Sequence, residues 1–140
     1  MVYLGLDLGS KTLGISISDK TGLIASSLEV IRYNDEENLF NRLDEIVYNR
    51  RVGAFVLGNP LNLDGSISLR SEKTIEFKSK LENRYKTKKV YMQDERLSTV
   101  EAERLLISND TKRKNRKKVI DKIAATIILQ AFLDKRKNEE

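Results

Sequence analysis

The sequence predicts an α/β fold with a five-stranded mixed sheet flanked by helices. Two observations support this prediction. The first part of the chain contains three short apolar segments separated by tight turns, which is typical of an antiparallel three-strand meander. Further along, the apolar spacing changes to a helical period, and helical segments then alternate with short apolar strands. Such alternation indicates parallel strands joined by helical crossovers.

The three segments of the meander differ in character. Residues 2–8 (VYLGLDL) form an apolar run interrupted by Asp7, which predicts a buried strand. Residues 15–18 alternate between isoleucine and serine, which predicts a second, half-exposed strand. Residues 20–22 (KTG) form a turn, and a third strand is expected through residues 23–31.

The middle of the chain predicts a helix followed by a strand. Apolar residues recur at helical spacing through residues 39–47, and Asn34 or Asp35 precedes them as a cap. Residues 54–58 (AFVLG) are short and apolar, as expected for a fourth, buried strand.

The remaining elements are two more helices around a strand, then a strong final helix. Residues 66–84 predict a weaker helix, and residues 89–93 predict the fifth strand. Ser98 and Glu101 form a capping box that opens a further helix, and residues 119–133 predict the last one. The expected buried residues of the weaker helix and of the last helix are Leu69, Ile75, Phe77, Leu81, Ile120, Ile123, Ala124, Ile127, Ile128, Ala131 and Phe132.

Composition restricts the chemistry more than it restricts the fold. The chain has 140 residues, one proline and no repeats, so a single domain over residues 1–140 is expected. It contains no histidine and no cysteine, which excludes zinc fingers, Ser-His-Asp triads and thiol nucleophiles. No apolar run approaches the roughly 20 residues that span a bilayer, and no signal peptide is recognisable. A cytoplasmic protein is expected.

The positive charge is concentrated near the end of the sequence. Residues 1–110 contain 16 Lys and Arg against 17 Asp and Glu, whereas residues 111–140 contain 10 against 4. Most of the excess lies in residues 112–118 (KRKNRKK). Such a run is expected of a protein that binds phosphate backbones, although a solvated lysine-rich loop has the same composition. We expect this segment to be mobile between two helices in the free protein.

Three carboxylates are candidates for chemistry. Asp7 lies in an apolar strand, where burial is costly unless the carboxylate is paired or binds a cation. Glu95 and its neighbour Asp94 follow the fifth strand, and Asp121 lies near the start of the last helix. A structural ion pair for Asp7, a solvated turn at residues 94–96 and a helix-terminus role for Asp121 are the alternatives.

These carboxylates predict a metal site made of oxygen ligands. The carboxyl ends of the first and fifth strands are expected at one edge of the sheet, which brings Asp7 and Glu95 together. Carboxylates alone suit Mg²⁺ or Mn²⁺, and one or two such ions can activate water and stabilise the leaving oxygen of a phosphodiester. Residues 9–12 (GSKT) are not a phosphate-binding P-loop, because Ser10 replaces the required glycine and a strand follows.

Four motifs follow one another along nearly the whole chain. They are GLDLGSK at residues 5–11, GNPLNLDG at 58–65, DERLST at 94–99, and DKIAA at 121–125 followed by ILQ at 128–130. In this order they resemble the YqgF/RuvX family of pre-16S rRNA nucleases and Holliday junction resolvases. The resemblance implies a ribonuclease H-like fold and maturation of the 5′ end of small-subunit rRNA in the bacterial cytoplasm.

The resemblance also implies the residues of the site. Asp7, Glu95 and Asp121 would be both the catalytic residues and the ligands of Mg²⁺ or Mn²⁺. The cations expected to hold the nucleic acid are Lys11, Arg96, Arg113, Lys114, Arg116 and Lys117.

Two positions depart from the family pattern, and a third differs from the related RuvC-type resolvases. Thr12 stands where the family usually has arginine, and Asn59 replaces the usual leucine before Pro60. Ala124 occupies a position where RuvC-type resolvases typically carry a further acidic residue, which makes DNA junctions the less favoured substrate.

Three other functions remain as alternatives. These alternatives are a Holliday junction resolvase, a non-catalytic RNA-binding assembly factor, and a phosphate-loop relative of sugar kinases. The last alternative requires two domains around a nucleotide, which 140 residues do not supply. The expected partners are precursor rRNA and pre-ribosomal particles, and the expected state is a monomer or a homodimer.

Overall fold

The computed structural model describes residues 1–62, 64–95 and 113–139, and for residues 113–122 it describes the backbone alone. The strands are β1 (Val2–Leu8), β2 (Thr12–Ser18), β3 (Ala25–Arg32), β4 (Val52–Asn59) and β5 (Lys89–Asp94). The helices are α1 (Glu36–Asn49), α2 (Leu69–Arg84) and α3 (Arg113–Asn138). None of the helices in these ranges is both long enough and apolar enough to cross a membrane. The helix predicted from Ser98 and Glu101 lies outside the described residues.

The predicted five-stranded mixed sheet is confirmed. Its strand order is β3-β2-β1-β4-β5. The first three strands form the antiparallel meander, while β4 runs parallel to both β1 and β5. The carboxyl ends of β1, β4 and β5 therefore lie side by side at one edge, which we call the carboxyl edge.

The sheet separates two cores because successive residues of a strand face opposite sides. On one face, α1 and α2 pack against buried residues such as Leu4, Leu6 and Leu57. On the other face, α3 packs against Tyr3 and Val56. The side chain of Asp7 alternates with Leu6 and Leu8, which places it on the α3 face of β1.

Local sequence signals explain where two helices begin. The Asp35 carboxylate accepts a hydrogen bond from Asn38 N–H (2.8 Å), which caps α1 as one of the two predicted candidates. The Ser68 hydroxyl accepts a hydrogen bond from Ser71 N–H (3.0 Å) and caps α2. The helix therefore begins three residues later than predicted.

The predicted apolar face of α2 is partly wrong. Leu69 and Ile75 are largely exposed, whereas Ser71 and Thr74 are buried beside the correctly predicted Phe77 and Leu81. The Thr74 hydroxyl donates to the carbonyl oxygen of Arg70 (2.8 Å). Small hydroxyl side chains can occupy the buried face because they satisfy their hydrogen bonds locally, so hydrophobicity alone does not identify it.

The predicted start of the last helix is also wrong, and its predicted buried face is wrong in part. Helix α3 begins at Arg113 rather than at Val119, so residues 113–118 are helical and not an irregular segment. Lysine and arginine are good helix formers, and the run contains neither glycine nor proline. On α3 the predicted Ile128 and Phe132 are buried, as are Ala125, Leu129 and Leu133, whereas the predicted Ile123, Ala124 and Ile127 are only partly buried and Ala131 is exposed. The side chain of the predicted Ile120 lies outside the described residues.

Candidate active site

Asp7 and Glu95 lie at the carboxyl edge, at the ends of β1 and β5. Asp7 is the penultimate residue of β1, and Glu95 follows the last residue of β5. Strand β4 lies between them, with its Leu57 paired to Leu6 and its Asn59 paired to Asp94. The Glu95 N–H donates to the carbonyl oxygen of Asn59 (3.2 Å), which fixes the backbone of Glu95 at the end of β4.

Gly58 makes room for the Glu95 carboxylate. A Cβ atom at Gly58 would lie 2.2 Å from Glu95 Oε2 and 2.6 Å from Cδ1 of Ile128 in α3. The Glu95 side chain therefore folds back over β4, on the same face as Asp7, and only 11% of it is exposed. Its neighbour Asp94 is exposed.

The environment of the Glu95 carboxylate disfavours its negative charge. Burial, the negative charge of Asp7 and that of Asp94 raise the pKa of Glu95 to about 7, and Arg70 opposes this rise. Glu95 Oε2 is buried without a hydrogen-bond partner among the described residues. A buried, unsatisfied carboxylate oxygen beside a second carboxylate is the environment that a cation would stabilise.

Arg70 provides a positive charge beside this pair. Its Nη2 atom lies 3.9 Å from Glu95 Oε1 and donates a long hydrogen bond to the carbonyl oxygen of Leu8 (3.4 Å). The Arg70 side chain is 63% exposed, so it can also contact a ligand. It separates two clefts at the carboxyl edge, one of about 680 Å³ that includes Glu95 and one of about 560 Å³ that includes Ser10 and Lys73.

Helix α3 lies directly on β1, and its direction leads from Ala125 back toward the carboxyl edge, where Asp121 is expected. A Cβ at Gly5 would lie 2.7 Å from Leu129 Cβ and 3.0 Å from the carbonyl oxygen of Ala125, so α3 lies directly on β1. The Ser16 hydroxyl donates to that same carbonyl (2.7 Å). Phe132 contacts Tyr3 at the start of β1, so α3 runs antiparallel to this strand.

This direction decides where Asp121 falls. Asp121 lies one helical turn before Ala125, and Asp7 lies two strand residues after Gly5. Both steps cover about 6 Å toward the carboxyl edge. The side chain of Asp121 lies outside the described residues. Within the described ranges no group of three potential ligand residues surrounds a metal position.

The structure describes only some of the other predicted site residues. Lys11 is exposed at the carboxyl edge, just before β2. Arg96 lies outside the described residues. Arg113, Lys114, Arg116 and Lys117 belong to the first turns of α3, and their side chains are outside the described part.

Three residues of the site are not identifiable from the sequence. Arg70 and Gly58 act through contacts with Glu95, which is distant in the chain from both. Asn59 accepts a hydrogen bond from the buried Ser71 hydroxyl (2.7 Å) and so joins the end of β4 to the start of α2. The departure from leucine at position 59 is visible in the sequence, but its partner in α2 becomes visible only in the fold.

Gly58→Ala is expected to impair the site more than the fold. The added methyl must displace the Glu95 carboxylate or Ile128, so cleavage activity should fall at least about tenfold. Gly53→Ala in the same strand is the matched control, because its Cβ would meet only the flexible side chain of Met1. Equal activity of the two variants in a nuclease assay would contradict the role of Gly58.

Comparison with known proteins identifies the relatives of this chain. Residues 1–135 match the family model described as "RuvX: Holliday junction resolvase". A protein of Bacillus mycoides named "Putative pre-16S rRNA nuclease" is 49% identical over 138 residues, covering 97% of this chain and 100% of the relative. A protein of Staphylococcus epidermidis with the same name is 47% identical over 133 residues, covering 94% of each chain.

Solved structures share the fold at lower sequence identity. Thermus thermophilus RuvC in complex with a Holliday junction substrate superposes with a TM-score of 0.58 at 17% identity, covering 97% of this chain and 96% of that one. The fowlpox virus Holliday junction resolvase gives a TM-score of 0.56 at 16% identity, covering 96% and 99%. The ribonuclease H-like fold is thereby confirmed, and the family match over residues 1–135 shows that this chain belongs to the RuvX family.

Proposed function

We propose that this protein is a divalent-metal-dependent nuclease that hydrolyses phosphodiester bonds in RNA during 5′-end maturation of precursor 16S rRNA. The observation that supports it most is the buried Glu95 carboxylate, which has one oxygen without a hydrogen-bond partner among the described residues and lies near Asp7. The names of the relatives that match almost the whole chain give the proposed substrate.

Asp7, Glu95 and Asp121 would hold Mg²⁺ or Mn²⁺ at the carboxyl edge. When bound, such an ion supplies an activated water and stabilises the leaving oxygen of the phosphodiester. This assignment is supported by the side chains of Asp7 and Glu95, which share one face of the sheet, and by the direction of α3, which leads from Ala125 toward the carboxyl edge.

Neighbouring cations would position the substrate. Arg70 is close enough to Glu95 to offset part of its negative charge and exposed enough to bind a phosphate oxygen of the strand being cut. Lys11 lies at the same edge. The helical basic run at residues 113–118 would bind phosphates further along the strand, since its rise of 1.5 Å per residue carries it about 12 Å beyond Asp121.

A Holliday junction is the second candidate substrate. The family description and the superposed resolvases favour it. Against it, Ala124 lies one helical turn after Asp121, where the RuvC-type resolvases are expected to carry another acidic residue. We therefore propose RNA as the physiological substrate. We also propose that the protein is located in the cytoplasm.

One experiment separates these functions. A precursor 16S rRNA fragment and a four-way DNA junction are incubated side by side with the protein and Mg²⁺, Mn²⁺ or a chelator. We expect metal-dependent cleavage of the RNA and slower or no cleavage of the junction. Preferred cleavage of the junction would favour the resolvase. RNA binding with no turnover under any metal would identify a non-catalytic assembly factor and contradict the proposed function.

A further inference from the structure

A basic groove lies at the end of the sheet opposite the carboxyl edge. Two chain segments that are far apart in sequence form it: residues 48–51 at the end of α1 and residues 85–88 after α2. The groove has a volume of about 890 Å³, and its lining includes Tyr48, Arg51 and Lys88. We call it the amino-end groove.

Hydrogen bonds hold both segments in tight turns. Arg51 N–H donates to the carbonyl oxygen of Tyr48 (3.4 Å), and Lys88 N–H donates to that of Tyr85 (3.0 Å). The Lys88 ammonium then donates to the carbonyl oxygen of Val52 (2.8 Å) and so connects the two turns. The cations of the groove are thereby held near one another by the fold.

The positive charges of these turns are not neutralised within the described residues. Arg50, Arg51 and Lys86 are exposed, and neither they nor Lys88 form a salt bridge there. The nearest acidic residue of the groove, Asp44, is already engaged: Arg84 binds it in two hydrogen bonds of 2.9 and 2.5 Å. The Arg84 guanidinium, together with the Tyr85 hydroxyl, lowers the pKa of Asp44 against its burial, so this carboxylate stays with its own partners.

Arg51 has a backbone conformation that favours glycine. Arg51 follows the C-terminal cap of α1 and has a φ of 53°, in the left-handed region. Glycine is the usual residue at this helix-ending position, because it adopts this conformation without strain. An arginine here keeps a positive charge at an energetic cost to the fold.

Tyr48 adds an aromatic surface to the cations. It is 83% exposed, and its ring has no aromatic partner among the described residues. The nearby Tyr85 differs, since it packs on Phe55 and its hydroxyl binds Asp44. A single exposed tyrosine is common on protein surfaces. Beside four unpaired or solvent-facing cations, it completes the combination that binds single-stranded nucleic acid, which is base stacking plus phosphate contacts.

We propose that the amino-end groove binds an unpaired segment of the RNA substrate, with a base on Tyr48 and phosphates on Arg51 and Lys88, which line the groove, and on Arg50 and Lys86, which are exposed on the same two turns. This inference rests on the proposed function in that it takes the partner to be RNA. The seven residue steps of β4 from Val52 to Asn59 separate the groove from the carboxyl edge by about 23 Å. An RNA that contacts both ends must therefore extend at least this far across the protein.

The test measures binding without metal, so it does not depend on cleavage. A fluorescently labelled 20-nucleotide uridine RNA is titrated at several salt concentrations in the presence of a chelator. The test variant combines Arg50→Gln, Arg51→Gly and Lys86→Gln, and it leaves Lys88 in place because of its contact with Val52. The matched control removes three other exposed cations: Lys20→Gln, Lys135→Gln and Lys137→Gln.

We expect the test variant to reduce the slope of log affinity against log salt by about 2, at roughly 0.7 for each phosphate that the protein no longer neutralises, and the control to change it much less. Arg51→Gly should leave the melting temperature unchanged or higher, which separates a binding defect from a folding defect. Tyr48→Ala should weaken binding at least about fivefold without changing the slope, and Tyr48→Phe should retain the wild-type affinity.

Two results would overturn the inference. One is a test variant with the wild-type salt slope, and the other is an equal decrease in slope in the test variant and the matched control. A protein that never cleaves RNA would contradict the proposed function, while the binding result would still decide whether the groove binds RNA.

Discussion

Asp7→Asn is expected to abolish RNA cleavage, with a loss in kcat/KM of at least about 10³-fold, while the protein stays as stable as the wild type or becomes more stable. The carboxylate is needed to hold the metal, so activity is lost with its charge. Without metal, the charge of Asp7 adds to the effect of burial in raising the pKa of Glu95, so removing it relieves a repulsion. Cleavage rates and thermal melts of the two proteins provide the measurement.

Asp19→Asn is the matched control for this substitution. The Asp19 carboxylate accepts hydrogen bonds from Leu23 N–H (2.9 Å), from Ile24 N–H (3.1 Å) and from the Thr21 hydroxyl. These bonds, that of Thr21 first, lower the pKa of Asp19 to about 2, as expected for a carboxylate that supports a turn. Asp19→Asn should lower the melting temperature and keep the nuclease activity. If Asp7→Asn instead lowers the melting temperature and keeps the nuclease activity, Asp7 is a structural residue.

The carboxylate pair also predicts how stability depends on pH in the metal-free protein. An unfolded glutamate releases its proton near pH 4.5, whereas Glu95 in the folded protein keeps it until about pH 7. The folded state binds more protons between these values, so the free energy of unfolding falls as the pH rises from 4.5 to 7, by at most about 3 kcal/mol. Chemical denaturation with a chelator should show this fall, and Asp7→Asn should reduce it. A stability that rises over this interval in wild type, relative to Glu95→Gln, would contradict the burial of Glu95.

The second large effect is expected from the basic run at the start of α3. The quadruple variant Arg113→Ala, Lys114→Ala, Arg116→Ala and Lys117→Ala should weaken binding to RNA and to DNA alike. The slope of log affinity against log salt should decrease by about 3, at roughly 0.7–0.9 for each phosphate that the variant no longer neutralises. The run contains no aromatic residue, so it has no means of stacking bases and should not discriminate between sequences.

The helical backbone of this run sharpens the prediction. Because alanine has the highest helix propensity, the substitutions should preserve α3. Because residues 113–118 are already helical, RNA binding should add little helical signal in circular dichroism. An unchanged salt slope in the quadruple variant would show that the substrate does not lie along this helix. A large gain of helicity on binding would contradict a helix that is formed in the free protein.

Local patterns in the sequence predict most of the fold. The alternation in β2, the cap at Asp35 and the helical period of α1 each depend on neighbouring residues, so one segment is enough to recognise them. The predicted start of α3 is too late because charge repulsion in the run matters less than the helix propensity of lysine and arginine. The predicted buried face of α3 includes the buried Ile128 and Phe132 but misses Ala125 and Leu129, because the rotation of the helix depends on the contact between Ala125 and Gly5, which the apolar pattern does not contain.

The candidate site could likewise be predicted only in part from the sequence. The positions of Asp7 and Glu95 at strand ends, and so at one edge, follow from strand order. The space above Gly58, the contact of Arg70 with Glu95 and the hydrogen bond between Asn59 and Ser71 join residues from different elements. The charge distribution along the sequence likewise assigns the positive excess to residues 111–140. The cluster around Tyr48 forms only when two separate turns meet.

The hydrogen bond from Ser16 to the carbonyl oxygen of Ala125 has a consequence for the synthesis of the protein. These residues are 109 positions apart, and Gln130 binds the meander in the same way, through Ala25 N–H and the carbonyl oxygen of Leu23. At about 5–20 residues per second, the ribosome completes the first strands about 5–20 s before the helix that covers them. Throughout this interval Asp121 is missing, so a growing chain has no complete set of carboxylates. With Asp121 as one of its proposed metal ligands, the nuclease would gain activity only after α3 has been synthesised and has packed on the meander.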